Sequence, residues 1–226
     1  MGTLYLVRHG QASFGAADYD QLSDLGQRQC ERLGAWFKAN GIAFDAVLSG
    51  TLKRHAQSLA AIEAGLGARH DALVLPGLNE YEPEAIVRAV HPLPVEPATP
   101  ATTQDQMRLH FRLLRDGLAA WMAGRTQPEG LPSHAQFMAG VVNVLDHVRT
   151  HHADQRVLVV SSGGPISHAV GHVLGLAAEP LIELNFQLRN SALCEFRVTP
   201  KRHTLVTFNT LPHLDGPQFA PWISHA

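Results

Sequence analysis

Three short, largely apolar runs, Thr3–Val7, Phe44–Leu48 and Val157–Val160, each lead into a polar or glycine-bearing turn and then a helical pattern. No other feature constrains the fold as strongly. A strand with almost no polar positions needs cover on both faces, and a parallel sheet obtains that cover from its crossover helices. Residues 22–38 show the amphipathic pattern of such a helix, with Leu22, Leu25, Leu33 and Phe37 along one side, and 52–66 and 164–176 repeat it. Strands alternating with helices imply βαβ units. The expected fold is α/β, a three-layer sandwich with a mostly parallel sheet flanked by helices.

Two stretches depart from this alternation. Pro92, Pro94, Pro97 and Pro100 rule out regular structure over 92–104. Beyond them, Met107, Phe111, Leu114, Leu118 and Trp121 recur at helical spacing. A second loop, Thr126–Ser133, precedes a helix over about 134–151. Residues 92–132 therefore read as an insertion, forming a helical lid or side subdomain in a single domain of residues 1–226. The competing reading is that the apolar stripe docks on the main core. After residue 180 the pattern changes to strands. Ala192–Val198 and Thr204–Phe208, joined by Thr199–His203, predict an antiparallel hairpin that closes the sheet.

Composition excludes several function classes. At 226 residues, with 45% hydrophobic and 17% charged residues, the chain suits one large domain with a real core. A net charge of -2 gives no reason to expect nucleic-acid or membrane-surface partners. The two cysteines, Cys30 and Cys194, are too far apart for a metal motif or a disulfide scaffold. The start MGTLYLVRHG has no secretory pattern, and Leu6 stands where a myristoylation signal needs Ser or Thr. No apolar run approaches the ~18 residues needed to span a bilayer. A soluble cytoplasmic protein is expected.

The first apolar run ends in Arg8-His9-Gly10. Ligands of open α/β sheets sit beyond the carboxyl ends of the strands. An Arg beside a His there joins a phosphate-binding fork to an acid–base or nucleophilic imidazole. The neighbouring Gln11 and a close backbone turn at Gly10 add to the same corner. After Phe44–Leu48, the stretch Ser49-Gly50-Thr51-Leu52-Lys53-Arg54 runs into a helix, which places Arg54 in a first turn that favours anions. His55 follows it. In Leu78-Asn79-Glu80-Tyr81-Glu82, which follows another short apolar stretch, either glutamate would stand at a strand end, would have its pKa raised beside a phosphate and would suit a general acid. The third run delivers Ser161-Ser162-Gly163-Gly164 to the same edge.

These stretches, with Leu22-Ser23-Asp24-Leu25-Gly26 and the tail Phe208-Asn209-Thr210-Leu211-Pro212-His213-Leu214, resemble the histidine phosphatase superfamily, the phosphoglycerate-mutase-like fold, over nearly the whole chain. The insertion falls where that family carries its variable substrate lid. The resemblance implies a histidine-acid-phosphatase-type phosphoric monoester hydrolase acting on a small phosphorylated metabolite. His9 would be transiently phosphorylated, and Arg8 and Arg54 would hold the phosphoryl oxygens. Glu80 would protonate the leaving group and then assist water. Two guanidiniums supply the positive charge that a loose phosphoryl-transfer transition state needs, so the resemblance implies no metal or other cofactor.

Two departures follow from the same resemblance. Ser162 stands where the family has a second histidine, and no phosphate-contacting Asn occurs near Gly15. Ser162, Gly163, Gln11 and His55 remain as candidate phosphate contacts, and His55 or the more distant His168 as a substitute for the missing histidine. The i, i+4 pairs His168/His172 and His147/His151 read as solvated helix-face residues and not as metal ligands. Arg88, Arg108, Arg112 and Arg115 are candidate contacts for a second anionic group. Retention of His9, Arg8, Arg54 and Glu80 favours a hydrolase, possessed of less activity for want of the second histidine. Ser162 keeps a phospho-ligand-binding or regulatory protein as the alternative, and a mutase ranks last.

Overall fold

The structure, a computed structural model, describes residues 1–13, 20–92 and 103–225. Its strands are β1 (Gly2–Arg8), β2 (Ala46–Ser49), β3 (Leu73–Val74), β4 (Arg156–Ser161), β5 (Leu193–Thr199) and β6 (Arg202–Thr210). They form one sheet in the order β3-β2-β4-β1-β5-β6. Pairings among β3, β2, β4 and β1 are parallel, whereas β5 and β6 run antiparallel as the expected hairpin. The fold is the α/β sandwich that the alternation predicts.

Seven α-helices accompany the sheet among the described residues: α1 (Asp24–Ala39), α2 (Lys53–Leu66), α3 (Pro83–Val90), α4 (Thr103–Met122), α5 (His134–His151), α6 (Gly163–Leu174) and α7 (Ala178–Gln187). Their ends are written locally. Ser23 caps α1 by accepting the Gly26 N–H, and a Ser133/Gln136 capping box opens α5. Gly67 and Gly175 terminate α2 and α6 at φ 75° and 66°, where other residues are strained.

The central strands send alternate residues to opposite faces. Leu4 and Leu6 of β1, with Val157 and Val159 of β4, pack on Val144 and Val148 of α5 and Ile166 and Val170 of α6. Tyr5, Val7, Leu158 and Val160 face Leu33 and Phe37 of α1 and Leu59 and Ile62 of α2. Cover on both faces is why these strands read as unbroken apolar runs.

A third cluster joins Leu114, Leu118 and Trp121 of α4 to Ile86 of α3 and Ile182 of α7. The apolar stripe of α4 thus docks on flanking helices, while Met107 near its start stays 48% exposed. Pro94, Pro97 and Pro100 lie outside the described residues.

Two expectations need correction. Residues beyond 180 continue a helix, α7, before any strand begins; Pro180 sits in its first turn, where no intrahelical N–H bond is required. Glu80 follows a 3-10 turn, Pro76–Leu78, and not a strand end. Among the described residues, no helix is long and apolar enough to cross a membrane.

Candidate active site

Three chain segments converge beyond the carboxyl ends of β1, β2 and β4. Arg8 and Ser161 are register partners at the ends of adjacent strands. The His9 N–H donates to the Ser161 carbonyl (2.9 Å), and the Gly50 N–H donates to the Val160 carbonyl (3.2 Å). These bonds hold 8–10, 50–55 and 161–164 against one another. Arg8, His9, Arg54, His55 and Ser162 are all buried there.

His9 donates its Nδ1–H to the Gly10 carbonyl at 2.7 Å. That bond commits the proton to Nδ1 and leaves a lone pair on Nε2. Burial, then the positive charges of Arg8 and Arg54, hold the imidazole well below its usual pKa, so it is neutral near pH 7. A neutral imidazole with a fixed tautomer is a nitrogen nucleophile.

The flanking arginines are anchored by opposite means. Arg8 Nη1 donates to the Leu188 carbonyl. Arg54, in the first turn of α2, pairs through Nη1 with Asp20 Oδ1 at 2.9 Å. The other oxygen of Asp20 accepts the Lys53 N–H at 2.9 Å, so one carboxylate caps α2 and orients its arginine. Asp20 lacked any sequence signal, because it is isolated from every motif.

Glu80 accepts the Gly164 N–H with both carboxylate oxygens, at 3.1 Å each, and the Tyr81 N–H at 3.2 Å. Burial raises its pKa, and the Gly164 bond and the two arginines oppose that shift without reversing it. A carboxyl with a raised pKa beside an anion-binding cluster can deliver a proton. Glu82 is exposed at the start of α3, away from these bonds.

The two serines of the third turn have different partners. Ser161 Oγ donates to the Leu78 carbonyl (2.7 Å), tying β4 to the turn that leads to Glu80. Ser162 sits at the N-cap of α6, makes no side-chain capping bond, and lies 2.7 Å from His55 Nε2 through Oγ. The His55 ring also stands 5.9 Å from the His9 ring, centroid to centroid. Burial and Arg54 depress the His55 pKa to about 3, so it too is neutral.

Other expectations resolve differently. Gln11 is held on the α1 side of its loop: Ser23 Oγ donates to its Oε1 (2.8 Å), and its N–H donates to Gln29 (2.9 Å). His168 is buried and not solvated. It donates from Nδ1 to the Gly164 carbonyl one turn back (2.7 Å), with its ring against Phe137 and His134. His147 and His151 stack on each other on the outer face of α5, their centroids 4.5 Å apart. Arg115 pairs with Glu183 and lies over Phe186, joining α4 to α7, whereas Arg108 has Asp105 as its neighbour. Arg88 and Arg112 are exposed. The region around Gly15 lies outside the described residues.

The tail braces the same corner. Asn209 accepts the Arg189 N–H at 2.9 Å, and His213 Nε2 meets Ser191 Oγ at 2.9 Å. Between these clamps runs the 188–191 loop, whose Ser191 N–H bonds the His9 carbonyl (3.1 Å). Asn185 of α7 reaches over from the other side, its Nδ2 donating to the Tyr81 hydroxyl at 2.5 Å.

No curated protein matches the sequence. Among solved structures, the chain is similar to a phosphoserine phosphatase from Entamoeba histolytica in complex with phosphoserine, with 20% identity and a TM-score of 0.63 over 95% of this chain and 100% of that one. It is similar also to the α-ribazole phosphatase from Shigella flexneri (19%, TM-score 0.64, 92% and 96%). A mycobacterial glucosyl-3-phosphoglycerate phosphatase is comparable (19%, TM-score 0.63, 92% and 98%). At these identities the likeness speaks for the fold. The sequence itself matches the model of one family across residues 4–86 and 101–211, which takes in the His9 corner, Arg54, Glu80 and the Ser162 turn. The chain belongs to the histidine phosphatase superfamily, branch 1.

Proposed function

We propose that this protein is a phosphoric monoester hydrolase of the histidine acid phosphatase type, acting on a small phosphorylated metabolite through a phosphohistidine at His9. The observation that carries the reading is the neutral His9 ring with its Nδ1–H committed to Gly10. Nε2 attacks phosphorus, the bond to the ester oxygen breaks, and that oxygen takes the proton of Glu80. Water then attacks the phosphoryl group and gives its proton to Glu80. The N–P bond breaks and its electron pair returns to Nε2. Arg8 and Arg54 hold the phosphoryl oxygens throughout.

The acid-phosphatase character rests on the two pKa directions. His9 stays a free base below the usual histidine pKa, and Glu80 stays protonated above the usual carboxylate range. Solved structures of this fold include enzymes named for small phosphomonoesters, phosphoserine among them. In this reading the described part of the insertion, residues 103–132, covers the bound ester.

Incubation with a panel of phosphomonoesters, comparing the wild type with His9→Ala, tests it. Phosphate release and an acid-labile phosphoenzyme, both absent from His9→Ala, are the expected results. One observation favours a second reading: Ser162 and His55 are both uncharged, which leaves two arginines as the site's cations. Phosphate binding with no turnover on any ester would establish that second reading, a phospho-ligand-binding protein, in place of the first.

A further inference from the structure

Ser162 stands at a helix start without performing the usual task of a serine there. An N-cap hydroxyl ordinarily accepts an N–H from the first turn of its helix. Ser162 makes no such bond, and among the described residues its Oγ has one hydrogen-bond partner, His55 Nε2, at 2.7 Å. Both side chains are fully buried, and the contact joins residues 107 positions apart in the chain.

The direction of this bond follows from the far side of the imidazole. His55 Nδ1 is buried and has no hydrogen-bond partner among the described residues. It lies against Gly50, where a Cβ would come within 2.2 Å of it. A neutral imidazole carries one N–H. Placed on Nδ1, that proton would be a buried donor with no acceptor; placed on Nε2, it meets Ser162. The N–H therefore belongs on Nε2, and Ser162 Oγ accepts it. The serine's own O–H is then left over as a donor. His9 is close by, with its ring 5.9 Å from that of His55, and Gly163 and Arg8 adjoin the same turn.

We propose that His55 and Ser162 act as one two-part donor, in which His55 fixes the serine oxygen from behind so that the Ser162 O–H donates to the phosphoryl group transferred to His9. His55 is a positioning residue here, and Ser162 touches the reacting group. Gly50 belongs to the device, because any side chain at that position would drive the imidazole off Ser162. The inference rests on the phosphatase reading for its catalytic consequence, and on the buried contact alone for its effect on anion binding. The neutral state of both histidines agrees with a relay that adds a dipole and no charge.

A double-mutant cycle tests it. Ser162→Ala should lower kcat about 10²-fold, the usual loss for a preorganised donor to developing charge, with a much smaller change in KM. His55→Leu should lower kcat by a similar factor, and the double variant should be no slower than the worse single one. His55→Gln, which restores an N–H near the Nε2 position, should recover most of the rate. A merely structural His55 would give no such recovery, and additive single losses would overturn the proposal. Should His55→Leu not fold, Ser162→Ala decides alone, since it removes one oxygen: an unchanged kcat overturns the relay. If the wild type hydrolyses no ester, the phosphatase reading fails and the relay is read from calorimetry with tungstate. Tungstate binding weakened alike in Ser162→Ala, His55→Leu and the double variant, and near that of the wild type in His55→Gln, supports it; affinities equal to the wild type in all four overturn it.

Discussion

Gly164 gives its backbone N–H to both carboxylate oxygens of Glu80, and it leaves no space for a side chain while doing so. A Cβ on Gly164 would fall 2.0 Å from Glu80 Oε1 and 2.6 Å from the Tyr81 ring. At Gly163 the nearest atom would be Asn185 Oδ1, 3.0 Å away. The second glycine of the turn is therefore what seats the Glu80 carboxyl.

Gly164→Ala is expected to displace the Glu80 carboxyl and to behave as a catalytic lesion. Glu80→Gln should lower kcat by about 10²–10⁴-fold, the range for loss of a general acid–base group. The loss should be largest for alkyl phosphates, which need a proton on the departing oxygen. It should be smallest for aryl phosphates whose leaving group departs unaided. Steady-state kinetics across such a leaving-group series checks both variants, and a uniform loss across the series would remove Glu80 from the acid role.

Three histidines besides His9 are buried as free bases. Burial is the leading cause for His55 and His213, both lowered to about 3, and for His168, lowered to about 4. Each folded pKa lies below the unfolded value near 6.5, so the unfolded chain binds more protons as pH falls past 6.5. Stability present above pH 6.5 is then lost on the way down to the folded values, by about 1.4 kcal/mol per pH unit for each group. Glu80, with its pKa raised, works in the opposite sense from the usual carboxylate range upward, and so offsets part of this loss. The melting temperature should fall steeply from pH 7 to pH 5, and His213→Gln should flatten that slope. A pH-independent melting temperature over this range would contradict the burial of these rings as neutral bases.

Adjacent serines should fail differently. Ser161→Ala strips the Leu78 carbonyl of its buried partner, a loss of about 1–3 kcal/mol that thermal or urea unfolding reports. Ser162→Ala leaves the buried His55 Nε2–H without its acceptor, a stability cost in the same range of about 1–3 kcal/mol, and differs in that it should also lower kcat. A Ser162→Ala that loses stability but no kcat would mean that Ser162 serves the fold more than the site.

The sequence showed five of the six strands, the hairpin among them, and the motif-borne residues His9, Arg8, Arg54 and Glu80 because each signal is local: an apolar run, a tripeptide, a helix start; the two-residue β3 is too short to give one. What it hid is long-range. Asp20 orients Arg54 from outside any motif, and Asn185 reaches Tyr81 from a helix that begins with proline in its first turn. The partnership of His55 and Ser162 spans two βα turns, and neither residue's neighbours in sequence announce the other. Gln11 has a local and a long-range side: it sits beside the motif in sequence, while its amide oxygen accepts from Ser23 at the start of α1.

Gly26 offers the sharpest contrast between a local rule and its tertiary context. Within a helix, Gly→Ala ordinarily stabilises by roughly 0.5–1 kcal/mol, through lower backbone entropy in the unfolded chain. Gly26 lies in the first turn of α1 and gains nothing from that rule, because a Cβ would sit 2.1 Å from the Gln11 carbonyl oxygen and 2.7 Å from its nitrogen. Gly10 meets the same contact from the other side, its Cβ position 2.3 Å from the Gly26 carbonyl oxygen. Neither obstacle is a flexible side-chain end, so relief requires α1 and the His9 loop to part. Overpacking of this kind costs about 1–3 kcal/mol, which exceeds the entropic gain and sets the sign. Gly26→Ala should therefore lower stability in urea unfolding by roughly 1–2 kcal/mol net. It should also reduce phosphoenzyme formation, because the loop that parts from α1 carries His9, the proposed nucleophile. A stabilised Gly26→Ala with full phosphoenzyme yield would show that the two backbones do not meet as described.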